Sequence, residues 1–325
     1  MIGAEEIGLR FVEAFGRGID IFVYRLQHPS WRNPFCVLLV VCVACFVLEA
    51  ILPRKIDYPL LGRRGFRQDL GYILFLDFAL APLGFYAVLV ILEQIFLSAL
   101  ATLGFEGPDL FSVAALPGPV QVIVLFVLID FSAWLGHYLL HRFGFLWQIH
   151  KIHHAQTQLG FASNRHFHWM EYLVFKPIGY IPLSMIGFSV EQFFFVSMWT
   201  GYFLGFLSHS NVRLPWGLLN YLVITPDTHF WHHAKNVPHR YGVNFASNLV
   251  LWDQLFGVFH LPKDEQPELG IQNDDVPDGF IGQQLYPFKA AWHPNPEPSF
   301  YPLPQPVAQA ARVRTGRNSA RKRRR

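Results

Sequence analysis

The chain has 325 residues, of which 52% are hydrophobic, 16% aromatic and only 15% charged. A soluble domain carries about 25% charged residues, so this balance, with a mean hydropathy of +0.26, excludes an ordinary water-soluble globule. The net charge of +3 hides an asymmetry: eight positive charges and no acid occupy residues 312–325, which leaves the rest of the chain at −5. Beside a membrane domain such a tail marks the cytoplasmic side or touches anionic lipid, and no nucleic-acid partner is expected.

The fold class expected is all-α, a polytopic transmembrane protein with a cytoplasmic histidine-rich cap. Residues 1–34 form an amphipathic N-terminal segment, whose opening MIGAEEIGLR is acidic and lacks the basic start of a cleaved secretory signal. Residues 35–52 form the first membrane helix, stopped by Pro53 and the basic stretch 54–67. Its three thiols, Cys36, Cys42 and Cys45, lack CxxC spacing and read as small apolar fillers rather than a disulfide framework. Residues 69–100 exceed the roughly 20 needed to cross. They are either one helix kinked near Pro82-Leu83-Gly84 or a re-entrant pair. A further span covers 118–140, and 172–208 suit a two-helix hairpin turning at Gly187-Phe188-Ser189, for about four or five spans in all.

Charge orients these spans. With one crossing for 69–100, the segments 54–67, 141–171 and 209–325 share a face. Arg54, Lys55, Arg63, Arg64 and Arg67 make that face cytoplasmic. Residues 209–262 read as a cap of short helices and loops that completes a membrane-embedded domain of 35–262. From 263 to 325 the chain is rich in Pro and Gln and then basic, a composition expected to form no packed core.

Eight histidines sit in three boxes: His137-x₃-His141, His150-x₂-His153-His154 and His229-x₂-His232-His233. Helical spacing sends the imidazoles of each box from one helix face toward a common point. Twelve histidines fall between His137 and His239, separated by apolar and aromatic sequence, unlike a low-complexity surface tract. Eight imidazoles exceed the needs of one ion, and structural zinc sites prefer cysteine and close at four. Two ions of higher coordination number would keep positions open for O₂, which suits non-haem iron. Asp130 lies two turns before His137 and is placed to accept a ligand's other ring N–H. Asn211 and Asp227 are candidates for the same kind of support, Asn244 reads as structural, and Trp252-Asp253 as stabilising the cap.

Over residues 125–260 the order of motifs resembles the fatty acid hydroxylase / sterol desaturase superfamily of membrane di-iron enzymes. The resemblance rests on Asp130, His137-x₃-His141-Arg142, Leu146-Trp147-x₂-His150-x₂-His153-His154, and His209-Ser210-Asn211-Val212-Arg213-Leu214-Pro215. It continues through Thr225-Pro226-x₂-His229-x₂-His232-His233, Tyr241-Gly242 and Trp252-Asp253-x-Leu255-Phe256-Gly257. It implies two iron ions, O₂ as co-substrate, and insertion of oxygen into, or removal of hydrogen from, an unactivated C–H bond of a sterol, fatty acyl chain or related apolar lipid. Zinc would be an adventitious occupant. Electrons would come from a separate ferredoxin, cytochrome or reductase. The ligands implied are His137, His141, His150, His153, His154, His168, His209, His229, His232 and His233, with Asp130 and Asn211 in supporting catalytic roles.

Two departures from the family pattern stand out. Its Arg-x-His-Pro-x-Glu motif becomes Arg165-His166-Phe167-His168-Trp169-Met170-Glu171, where His168 fits by its distance to Glu171 and His166 by its neighbouring arginine. A further HxxxH pair found in some members becomes Gly205-x₃-His209. The alternatives are a divalent-metal transporter or sensor and a catalytically degenerate scaffold. A transporter would set its ligands near the bilayer midplane on broken helices, whereas these ligands fall in loops and at the ends of spans.

Overall fold

Apolar runs bounded by capping residues set the helices. The computed structural model describes residues 4–54, 58, 60–104, 113–263, 265–272 and 274–291. Among them the regular structure is helical, with isolated β-bridges in place of strands. Helix α1 (Ala4–Gln27) carries Glu5 and Glu6 in its first turn and Arg25 in its last, in keeping with the helix dipole. Helix α2 (Pro34–Ile51) begins where Asn33 Oδ1 accepts the Phe35 N–H at 3.0 Å and Pro34 takes the first turn. At its other end Arg54 N–H donates to Asn211 O (2.9 Å) and Arg213 N–H to Leu52 O (3.0 Å), which ties the helix to the cap.

The long apolar run from 69 divides into α3 (Phe66–Ile73) and α4 (Tyr86–Thr102), joined by π-helical stretches at Leu74–Ala79 and Ala81–Phe85. The kink falls at Gly84, whose φ of +93° excludes most side chains. A Cβ there would also lie 2.9 Å from Phe15 of α1. α3 belongs to the cap, while α4 runs beside the far part of the hairpin, where Tyr180 Oη donates to Glu93 Oε1 at 2.9 Å. The expected kink near Pro82-Leu83-Gly84 is thus present.

Helices α5 (Gly118–Arg142) and α6 (Gly144–His154) meet at Phe143. Helices α7 (Met170–Ser184) and α8 (Val190–His209) form the expected hairpin. Its turn uses Gly187 at φ +92° and a capping box in which Ser189 and Gln192 exchange backbone-to-side-chain bonds. α5 packs on α7, and α2 on α8. Among the described residues three helices are long and apolar enough to cross a membrane: Pro34–Ile51, Pro82–Thr102 and Gly118–Arg142. Four or five were expected. α7 has only 15 residues, and α8 carries Ser197, Thr200, Ser208 and His209, polar side chains that it turns inward on a cavity.

The cap holds α9 (Pro226–His232), α10 (Leu251–Leu255) and α11 (Phe280–Ala291). The expectation that nothing after 263 packs is corrected by α11, which lies on α6. Its Gln and Tyr side chains are structural. Gln283 Oε1 accepts from Tyr72 Oη (2.8 Å), and Tyr286 Oη donates to Gln148 Oε1 (3.0 Å). The basic tail lies outside the described residues.

Gly84→Val should lower stability by roughly 1–3 kcal/mol, from forbidden φ and the Phe15 contact. Thermal unfolding in detergent would show a depressed Tm, whereas Gly71→Ala, in a helix with open space at its Cβ, should not depress it.

Candidate metal centre

Helical spacing brings the boxes together as expected. α5 supplies His137 and His141, α6 supplies His150, His153 and His154, α8 ends on His209, and α9 with its cap supplies His229, His232 and His233. The nine rings divide into two sets. His137, His141, His150, His154 and His232 form one, and His153, His209, His229 and His233 the other. Within each set one nitrogen per ring lies within 4.8 Å of the rest. All nine are buried.

The backbone fixes which nitrogen faces inward. A carbonyl oxygen can only accept, so a ring nitrogen bonded to one must carry the proton. The Nδ1–H groups of His137, His153, His209 and His232 donate to the carbonyls of Phe245 (3.0 Å), His166 (3.2 Å), Gly205 (2.7 Å) and Val243 (2.8 Å). Each Nε2 is then a bare lone pair. His153 Nε2 and His209 Nε2 nonetheless face each other at 3.2 Å, and His229 Nε2 lies 2.9 Å from His209 Nε2. In the other set His137 Nε2 and His150 Nε2 stand 3.1 Å apart. Among the described residues His232 Nε2 has no hydrogen-bond partner. Converging lone pairs in a buried space repel unless a cation sits among them, so the residues present fit one metal ion per set. Burial, reinforced by mutual repulsion, holds His150, His153, His154, His229, His232 and His233 well below the ordinary histidine range. They are neutral at pH 7, the form that ligates.

A loop at 241–246 closes over the first set. Gly242, at φ +107°, passes so near that a Cβ would lie 3.3 Å from His141 Nδ1. Asn244 adopts φ +55° and pins the loop through Thr228 O (2.8 Å) and His260 O (2.7 Å), so its structural reading fits. Asp253 accepts from Phe245 N (2.8 Å), Ala246 N (3.0 Å) and Trp134 Nε1 (2.9 Å). It thereby fixes the peptide whose carbonyl orients His137.

The supporting residues differ from expectation. Among the described residues Asp130 hydrogen-bonds to no ligand ring; it accepts from Asn248 Nδ2 (2.9 Å), Leu249 N (3.2 Å) and Trp252 Nε1 (2.8 Å), all on the loop after 246 and the helix that follows it. Asn211 acts through its backbone, donating to Glu49 Oε1 at 2.9 Å. Asp227 pairs with Arg54 at 3.1 Å and ties α9 to the end of α2. His168 stands outside both sets, its Nε2 donating to Gln284 O at 3.0 Å. His166 is outside them as well, bonded to Asp69 and, through Nε2, to Gln283 Oε1 at 3.0 Å. α11 thus holds both side chains away from the centre. Gly205 has a steric cause: a Cβ there would lie 2.8 Å from Asn164 Oδ1.

Glu171 was missed as a site residue. Its Oε2 lies 3.1 Å from His150 Nδ1, within ion-pair distance but without hydrogen-bond alignment, which places a carboxylate beside a ring of the first set. The only signal for it in the sequence was its place at the end of a degenerate motif. The centre opens on a cavity of about 240 Å³, lined by His137, His150, His153, His209 and His229 on one side and by Ile129, Phe175 and Phe193 on another.

Fold and site together define an integral membrane protein with a paired histidine centre able to bind metal. Residues 122–258 match the family model for fatty acid hydroxylase. Among similar proteins is an ornithine lipid hydroxylase, OlsE, of Rhizobium tropici, 35% identical over 173 residues (53% of this chain, 51% of the relative). An alkylglycerol monooxygenase of Caenorhabditis elegans is 25% identical over 166 residues (50% and 31%). A very-long-chain aldehyde decarbonylase, GL1-11, of Oryza sativa subsp. indica is 28% identical over 159 residues (48% and 57%). The matched stretch spans about half of the first relative and about a third of the second. No solved structure gives a significant match.

Glu171→Gln should weaken metal binding about 10- to 100-fold, the usual effect of losing a carboxylate behind a ligating histidine, as read by competition with a chelator. In the same assay His168→Ala should retain the metal of the native protein.

Proposed function

We propose that the chain is an O₂-dependent lipid hydroxylase whose two histidine sets each hold one iron ion. The observation that carries this reading is the convergence of nine buried imidazoles, four of them held with Nε2 unprotonated, beside a cavity with apolar walls. The family match and the printed activities of the relatives, on an ornithine lipid and an alkylglycerol, support the lipid class. All-histidine ligation by five and four rings suits iron better than structural zinc, which closes at four with cysteine.

When bound, the iron pair would supply the activation of O₂ that no side chain can provide. The overall reaction is C–H + O₂ + 2 e⁻ + 2 H⁺ → C–OH + H₂O, the two electrons coming from a separate ferredoxin, cytochrome or reductase. The protein's share is positioning. Carbonyls of Phe245, His166, Gly205 and Val243 hold four ligand rings in one tautomer. Glu171 sets a carboxylate beside His150. Ile129, Phe175 and Phe193 exclude water and give an alkyl segment its contact surface. The basic stretch 54–67 supports a cytoplasmic position for the cap, where a soluble donor would meet it.

Purified protein supplied with reductant and ¹⁸O₂ should add one labelled oxygen atom to an ornithine lipid, an alkylglycerol or a fatty acid, detected by mass spectrometry. His141→Ala should abolish the product. Label-free lipid from iron-loaded native protein on all three substrates would contradict the proposal.

A further inference from the structure

A second cavity, of about 510 Å³, lies beside the one at the histidines, and both are lined by Arg165, Tyr172, Ser197 and Gly201. Helix α8 is their common wall. At about 1.5 Å per residue, Gly201 is roughly 12 Å along its axis from His209, and Phe195 roughly 21 Å. The body of the second cavity is apolar, built by Phe22, Phe35, Leu80, Phe85, Phe194 and Met198.

Its charged residues fall into two groups. At the junction Arg165 is neutralised: its Nε donates to Asp77 at 3.0 Å, and Tyr202 Oη donates to the same carboxylate at 2.8 Å. Arg25, near the end of α1, and Arg32, just before α2, also line the cavity. Trp31, over whose ring Arg32 sits at 4.8 Å, meets Phe195 edge-on, which fixes the level of Arg32 on α8. Among the described residues neither Arg25 nor Arg32 forms an ion pair with a carboxylate. The cavity thus has two uncompensated guanidinium groups, an apolar body and an inner end that meets the metal chamber.

We propose that this cavity binds the substrate amphiphile by a single anionic group, carboxylate or phosphate, held by Arg25 and Arg32, with its alkyl chain running past Gly201 to the histidines. This rests on the reading of the centre as a lipid hydroxylase and specifies the substrate class. Guanidinium forks match both anions in geometry. The length of the path sets the position of attack: for an anion at the level of Arg32, beside Trp31 and Phe195, the C–H group that reaches the histidines lies about 20 Å away, on the distal part of a long chain.

The test is photo-crosslinking of the full chain, in neutral detergent and without metal, by three chain-diazirine probes: palmitate, dipalmitoyl phosphatidic acid and methyl palmitate. Palmitate, phosphatidic acid or both should label the segment 194–202, and the Arg25→Gln/Arg32→Gln variant should cut that labelling about tenfold, the loss of roughly 1.4 kcal/mol of binding. Labelling by one anion alone identifies its headgroup chemistry. Methyl palmitate should label weakly and equally in both proteins. Equal labelling by ester and anions, or undiminished labelling of the variant, overturns the assignment. Because the readout needs neither iron nor turnover, its failure is distinct from failure of the hydroxylase reading, which the ¹⁸O₂ experiment alone decides.

Discussion

Nine neutral imidazoles forced together in a dry space are the constraint on which the rest of this structure depends. Bringing their lone pairs within about 3 Å of one another is unfavourable without a cation. The surroundings are arranged to keep the rings from turning away. Four backbone carbonyls hold their outer nitrogens, Glu171 stands 3.1 Å from a fifth ring, and Asp253 and Asn244 pin the loop that carries two of those carbonyls. Asp130 does the same for the next stretch, 248–252. The buried carboxylates around the centre are thus fasteners for the peptide chain that aims the ligands.

A second polar layer explains why the cap stays on the membrane helices. Asp69 of α3 receives Arg63, Gln156 and His166, all buried or partly so. Glu49, near the end of α2, accepts the backbone N–H groups of Phe161 (2.6 Å) and Asn211 (2.9 Å). Removing one partner from such a network leaves a desolvated group unpaired, which costs far more than the pair contributes net. Except for Arg63–Asp69, these contacts join residues 87 to 162 positions apart, and they position the α8 end that carries His209.

The membrane helices and the boxes were legible in the sequence because both depend on local periodicity. An apolar run of 18 or more residues has one stable form in lipid, and i, i+4 histidines share a helix face wherever the helix goes. The remainder was hidden because it depends on tertiary contact. The carbonyls of Phe245, Val243 and Gly205 are backbone atoms that any residue would supply. The choice between His166 and His168 was undecidable from spacing, since α11, read as part of an unpacked tail, removes both. Gly205 looked like a missing ligand, whereas the structure fills its place with Asn164. Asp130 was expected to serve a ring and instead serves the loop beyond it, an outcome that helical spacing alone cannot distinguish.

The assignment of one iron ion to each histidine set is checked by elemental analysis joined to X-ray absorption on protein purified anaerobically from iron-supplemented cells. It predicts about two irons per chain in a first sphere dominated by nitrogen ligands. A single ion, or no stoichiometric metal in correctly folded protein, would contradict it.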